Sequence, residues 1–419
     1  MANKLLYNVN DCPRKWWEWI IYPLQQLCAV FVATVLIANI CHTPVSSCLF
    51  GAGLGTIIYL LITKGQSPMF ISSCGATVSA VCGALALTPL ENHQNYLMVT
   101  CGGLIILLIY GIFALIVKKM GTGALSRIFP PIIVGSVTMV IGLNLAKFIF
   151  GYVGGEGDVV PVVPVLIAIF TMLVAAITAH YGRGFIKNIP FLIALATGYV
   201  LALICGKVDF TAFSNMSWCP ELTFTQWDVS DWSWLNLGKT ILYFVPVAIC
   251  ALLEHYSDHA VLSNIIGTDL TQKPGLHRTL LGDGMASAVG TAVCGLPNTS
   301  YGESIATTGL SRVASSAVIA ATAAGAMLLS CIGPFSALVE SVPSFVFGGC
   351  AMILYGYIAA SGLKTIINNK IDLEKPKNLI IVSVILTVGV SGIYLFDAAF
   401  AGVSLAMVLG VILNLLLRD

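Results

Sequence analysis

Apolar runs separated by short polar breaks recur along the whole chain. They cover 20–41, 46–63, 68–85, 96–117, 128–149, 159–180, 187–205, 239–258, 279–295, 298–310, 314–333, 343–362, 377–394 and 398–417. Most approach the roughly 20 residues an α-helix needs to cross a hydrocarbon core. The pattern predicts an all-α polytopic membrane protein with fourteen transmembrane segments. Segments three and ten read worst as continuous helices.

Those two segments share a character of their own. One runs PMFISSCGATVSA (68–80) and the other PNTSYGESIATTG (297–309). Both start at a proline, pass through a β-prone stretch and are rich in Ser, Thr and Gly. Non-helical backbone at membrane depth survives only where protein buries it or where it lines a wet cavity. As third elements of two halves, they predict two seven-span repeats, each broken by a short extended stretch, and such pairs point to a transporter's binding site. An odd number of spans makes the halves inverted. A fainter echo supports the repeat: FPPIIVGSVTMVIG (129–142) resembles VPSFVFGGCAMILY (342–355), aligning Pro130 with Pro343 and Gly135 with Gly348. The expected organisation is a cytoplasmic N-terminal segment (1–19), a first repeat (20–205), an outer Trp-rich loop (206–238) and a second repeat (239–419).

Composition changes the picture only by removing alternatives. Of 419 residues, 58% are apolar and 9% charged, against about 25% charged in an ordinary soluble domain. Lipid must therefore solvate most of the exterior. The net charge of +1 comes from scattered basic residues, which gives no footprint for nucleic acid. The start of the chain does not read as a cleavable signal; Arg14, Lys15, Trp16, Trp17 and Trp19 read as an interfacial anchor. Most of the thirteen cysteines, including Cys28, Cys74, Cys82, Cys101, Cys205, Cys250, Cys331 and Cys350, sit within or beside apolar runs. Without CxxC or Cys/His spacing, neither a disulfide framework nor a metal site is expected.

Loop charge sets the expected orientation. With the N-terminus inside, the even loops hold Lys64, Lys118, Lys119, Arg127, Arg183, Lys187, Lys273, Arg278, Arg312, Lys364, Lys370, Lys375 and Lys377. The odd loops hold Glu91, Glu156, Asp158, Glu221, Asp228, Asp231 and Glu340; only Lys147, Lys207 and Lys239 fall near the outer side. The positive-inside rule then puts both termini in the cytoplasm.

Charge inside a membrane costs about 2.5–3.5 kcal/mol per group on insertion scales and needs a reason. Span eight, FVPVAICALLEHYSDHAVL, carries Glu254, His255, Asp258 and His259. Glu254 and Asp258 lie one helical turn apart, as do His255 and His259. The bland alternative is that this cluster ends the helix at the cytoplasmic water interface. Glu303 is the second intramembrane acid, after Tyr301 and Gly302 in the broken segment. Alone it reads equally well as a carboxylate capping free N–H donors. Together with Glu254 it reads as half of a ligand site. A carboxylate accepts strong hydrogen bonds from ring N–H groups, and free N–H groups at a helix start donate to carbonyls. A pyrimidine such as uracil offers both along one ring edge. Histidine beside a carboxylate suits proton relay.

EHYSDH (254–259), PNTSYGES (297–304), PGLHR (274–278), LQQLCAVFVATVL (24–36) and LYGYIAASG (354–362) resemble the uracil permeases of the nucleobase–cation symporter family over nearly the whole chain. The resemblance implies fourteen spans in two inverted repeats, a core domain gripping the base, a gate domain, and proton-coupled uptake across the cytoplasmic (inner) membrane. Sodium is the alternative coupling ion, and homodimers are common in the family. Carried over by position, Glu254 and Glu303 bind the base, Gly302 offers its amide and Tyr301 lines the pocket. Tyr355 closes over the site, Ser73 and Cys74 face the base, and His259 assists proton coupling beside Glu254.

Three positions depart from the family. Gly75 stands where Phe is usual, keeping the amide but removing a wall. Gln26 stands where His often completes a Gln-His pair. Asp258 stands where Gly is common and adds a charge one turn from Glu254, placing it with the proton-coupling residues. Asp283, in the GDG of span nine, reads as a buried structural polar group. The loop SWCPELTFTQWDVSDWSW (217–234) reads as an amphipathic cap on the outer surface. The enlarged pocket makes a purine or xanthine symporter the alternative, and an anion exchanger of the same fold the more distant one. Without a Walker loop or dinucleotide fingerprint, neither an enzyme nor a cofactor is expected.

Overall fold

The computed structural model describes all residues except 1–4, 88–94, 122, 124–128, 156–159, 184–185, 215, 219–226, 230–231, 396–399 and 418–419. The loop charges Glu91, Arg127, Glu156, Asp158, Glu221 and Asp231 lie outside the described residues. Fourteen helices of ten or more residues appear among the described ones. They are α1 (Glu18–Ile40), α2 (Val45–Ile62), α3 (Val78–Leu87), α4 (Leu97–Met120), α5 (Pro131–Leu145), α6 (Val162–Tyr181) and α7 (Pro190–Ile204). After the Trp-rich loop come α8 (Trp234–Ile266), α9 (Leu276–Ala292), α10 (Gly302–Ser311), α11 (Ser316–Ser330), α12 (Ser344–Asn368), α13 (Pro376–Val390) and α14 (Val403–Leu416).

Among the described residues, seven spans qualify by length and apolarity to cross a membrane: α1, α2, α4, α5 extended to Tyr152, α6, α8 and α12. An eighth arises if α11 is joined to the short helix Gly333–Glu340, which bends away from it by 83°. Leu108 and Leu166 turn outward, 62% and 60% exposed, as lipid-facing residues should. The protein is thus a mostly helical, multi-pass membrane protein.

Local chemistry sets several boundaries. Pro occupies the first turn of α5, α7 and α13, where its missing N–H costs nothing. Ser233 caps α8 by accepting from Leu235 N–H at 3.2 Å, and Gly267 ends it with φ +71°, a left-handed turn suited to glycine. Helix α8 runs two turns past Asp258, so the expected end of span eight at 258 is corrected. The polar cluster lies within the helix because nothing at 258 breaks it; the first breaker is Gly267.

The helices fall into two packing groups. In one, α2 packs on α9 and α11, α4 on α9 and α8, and α1 on α11 and α10. In the other, α12 packs on α5 and α6, α13 on α14 and α5, and α6 on α7. The groups meet where α1 touches α7 and α12, and where α8 touches α14 and α5. Small residues allow the close approaches. A Cβ on Gly53 of α2 would stand 2.6 Å from the Ala323 carbonyl of α11, and one on Gly142 of α5 would stand 2.6 Å from the Tyr355 carbonyl.

Both broken segments are extended where the sequence predicts. Strand β1 (Ile71–Ser73) pairs antiparallel with β2 (Asn298–Ser300), with Ile71 opposite Ser300 and Ser73 opposite Asn298. Buried backbone needs partners, and neighbouring side chains supply them. Thr56 of α2 bonds both the N–H and the carbonyl of Ile71, at 2.9 and 3.0 Å. Ser304 accepts from Phe70 N–H at 3.1 Å. Asn298 donates to the carbonyls of Gly51 and Ala286, tying β2 to α2 and α9.

Candidate functional site

The strand pair and the helix starts that follow it frame the site. After β1 come Cys74 and a short turn of 3₁₀ helix, Gly75–Thr77, then α3; after β2 come Tyr301 and α10. Cys74 N–H donates to the Pro297 carbonyl at 2.8 Å, locking the two exits together. Helix α10 opens with Gly302 and Glu303. The N–H groups of that first turn have no partner within the helix. Space opens beside Gly302, where a Cβ would meet nothing within 4 Å. Glu303 is an acid in the first turn of α10 and is half-buried.

Helix α8 brings the other acids. Glu254 and Asp258 are half-buried on one face, and Glu254 lies in the electrostatic field of Asp258, Glu303 and Asp283. Asp258 accepts from Ser300 Oγ of β2 at 2.8 Å. Tyr301 and Cys74 are also within reach of the Glu254 charge, and both are buried, as is Ser73. The expected residues Glu254, Asp258, Tyr301, Gly302, Glu303 and Cys74 thus converge on one centre.

Tyr355 is buried on α12, in the second packing group. Gly75 follows Cys74 in the first group, and a Cβ there would touch Leu145 of α5 at 3.4 Å and Ile37 of α1 at 3.9 Å. The wall removed by glycine is partly rebuilt by apolar side chains of other helices. Gln26, buried on α1, donates to Thr308 Oγ1 at 3.0 Å, fastening α1 to α10.

The histidines of α8 pack differently from its acids. Expected beside Glu254, His259 is fully buried and turned elsewhere. Its Nε2 lies 2.8 Å from Tyr59 Oη and 3.3 Å from Ser67 Oγ, and its Nδ1 lies 2.8 Å from the His255 carbonyl. A carbonyl only accepts, so Nδ1 carries a proton and donates to it, which fixes the ring. Five residues of helix rotate a side chain by about 140°, which takes His259 off the Glu254 face. His255 joins it inside, its Nδ1 2.7 Å from Asp283 Oδ2, and Thr299 donates to the same oxygen at 3.2 Å. Asp283 is thus a buried polar anchor between α9, α8 and β2.

Sequence reasoning missed Ser300, Thr299, Tyr59 and Ser67. The signal for the first two was present: alternate residues of a strand point to opposite sides, so Thr299 and Ser300 had to meet different helices. Nothing local marks Tyr59 or Ser67. Among the described residues no cluster of His, Cys, Asp and Glu is arranged to hold a metal.

Comparison with known proteins gives this geometry relatives. A family model described as "Permease family" matches residues 17–398. The chain is 37% identical to the uracil permease of Bacillus subtilis, over 99% of this chain and 95% of that one. It is 36% identical to the uracil permease of Escherichia coli K12, over 94% and 90%, and 29% identical to that organism's putative pyrimidine permease RutG, over 94% and 88%. In fold it resembles the transmembrane domain of the cyanobacterial bicarbonate transporter BicA (TM-score 0.64, 12% identity, 97% of this chain and 99% of that one). It also resembles the murine anion transporter Slc26a9 in an inward-facing state (TM-score 0.71, 12% identity, 97% and 69%). Sharing a transporter fold with these two, and sequence along nearly its full length with the uracil permeases, the chain belongs to the permease family.

Proposed function

We propose that this protein imports uracil by proton symport across the cytoplasmic membrane. The observation that carries the reading is the meeting of Glu254 on α8 with Glu303 and the free N–H groups opening α10. Two carboxylates accept from the ring N–H groups, and the helix start donates to a ring carbonyl. Tyr301, Ser73, Cys74 and the Gly75 amide line the pocket, and Tyr355 closes it. The full-length relatives named uracil permease support the choice of base. Asp258 shares the proton with Glu254, since two neighbouring acids in a site without Lys or Arg hold one proton more readily than two charges. The fourteen helices are read as two inverted seven-span repeats, 20–205 and 239–419, with cytoplasmic termini. The antiparallel β1–β2 pair supports that reading, and the two packing groups supply its core and gate.

Labelled uracil uptake into cells lacking their own permease tests the proposal. It should appear with this chain, collapse with a protonophore and disappear in Glu303→Ala. Uptake that survives the loss of Glu303 sinks the assigned chemistry.

A second reading, a purine or xanthine symporter, has one observation in its favour: Gly75 leaves its wall to Leu145 and Ile37 rather than to a ring. Competition by xanthine, hypoxanthine and guanine decides it; without competition it is gone. Anion exchange, named for the fold neighbours, fits poorly with a site centred on acids.

A further inference from the structure

A cleft of about 560 Å³ opens between the two packing groups on the face opposite the N-terminal segment. Asn39, Ile40 and His42 from the end of α1 form one side, and Phe148, Tyr152 and Phe347 line the other. The cleft stops at Tyr152, which is buried in a short turn after α5 (Ile149–Tyr152). Its hydroxyl donates to the Leu36 carbonyl of α1 at 2.8 Å. That carbonyl is already the acceptor position of an α-helix, so this bond is an additional one made across the boundary between the groups.

Tyr152 is held from behind. Ser344 Oγ donates to its carbonyl at 3.0 Å. Gly348 of α12 leaves room for it, since a Cβ there would lie 2.9 Å from Tyr152 Cβ. Past the ring, its hydroxyl is within interaction range of Tyr355, the residue read as closing over the base. One side of Tyr152 therefore meets the open cleft, and the carbonyl it holds lies two residues from Thr34 of α1, whose Oγ1 is 2.7 Å from Ser72 Oγ of β1 at the candidate site.

We propose that Tyr152 is the gate between cleft and site, its hydroxyl latching the second packing group to α1, so that opening toward the outer side requires release of the Leu36 carbonyl. This rests on the transport reading and deepens it. A gate held by one net hydrogen bond shifts the open population about two- to tenfold when the bond is lost.

The test uses Ile37→Cys, which borders Gly75 at the site, in intact cells treated with a membrane-impermeant thiol reagent. Labelling is measured against the same chain without that cysteine. Adding Tyr152→Phe, which keeps the ring and removes the latch, should raise the labelling rate about two- to tenfold. Ser344→Ala, which loosens the turn from behind, should raise it in the same direction and stands in if Tyr152→Phe expresses poorly. An unchanged rate in an expressed variant overturns the gate. Uracil protection of Ile37→Cys reports separately on the substrate, so its absence counts against the uracil reading and leaves the gate result intact.

Discussion

Two pairs of polar residues sit one turn apart on the same stretch of α8 and lead opposite lives. Glu254 and Asp258 are half-buried and look toward the broken segments. His255 and His259 are fully buried, stacked with ring centres 4.0 Å apart and bound to Asp283, Tyr59 and Ser67. A one-residue offset rotates a side chain by about 100° on a helix, and that rotation separates site from scaffold. Intramembrane polarity is costly on both faces. On one face the proposed function retains it for a ligand; on the other it joins α8 to α9 through Asp283 and to α2 through Tyr59.

The comparison can be broken from the buried side first. Asp283→Ala strands His255 and Thr299 and should cost about 3–5 kcal/mol, the usual loss when half of a buried pair is removed. Thermal unfolding in detergent measures it, and an unchanged midpoint would mean that the buried face is not scaffold at all. On the accessible face, Asp258→Asn should leave the midpoint nearly unmoved. Uptake should fall about tenfold, the value of one hydrogen bond to a charged group, and its pH profile should flatten. Retained pH dependence would leave Glu254 as the sole proton carrier.

His259→Gln asks whether the buried histidine takes part in coupling. It should lower stability by about 1–2 kcal/mol through its lost partners, while uptake per folded molecule keeps its protonophore sensitivity. Loss of that sensitivity would restore the histidine to proton coupling. The smallest effect belongs to Gly75→Ala, where the new methyl meets Leu145 at ordinary contact distance. Stability should move by less than about 0.5 kcal/mol, and only the competition pattern among larger bases should narrow.

Much of this was legible in the residues. Hydropathy located the long helices, because lipid leaves few ways to satisfy a backbone, but it stopped short of the ends of α8 and α12, which run on to Ile266 and Asn368. The β-prone stretches ISS and NTS announced their own irregularity. Glu254 and Glu303 stood out as acids within apolar runs, although the first also read as a helix end at the water interface and the second as a cap. The fate of His259 was not legible, since its partners Tyr59 and Ser67 are about two hundred positions away. Nor was Tyr152: a tyrosine near a loop has no mark that separates a latch from a surface ring, and only its reach to Leu36 does so.

The three-residue ladder between β1 and β2 also bears on how the protein is made. Its first strand leaves the ribosome more than two hundred residues before its second. Until then the backbone of Ile71–Ser73 has no ladder partner, and bare amides are poorly tolerated in lipid. The nascent first half must therefore wait in a wetter or chaperoned setting, and the candidate binding centre is completed only after α10 has been synthesised. Chains truncated before Asn298 should accordingly be cleared by membrane quality control rather than accumulate as stable half-transporters.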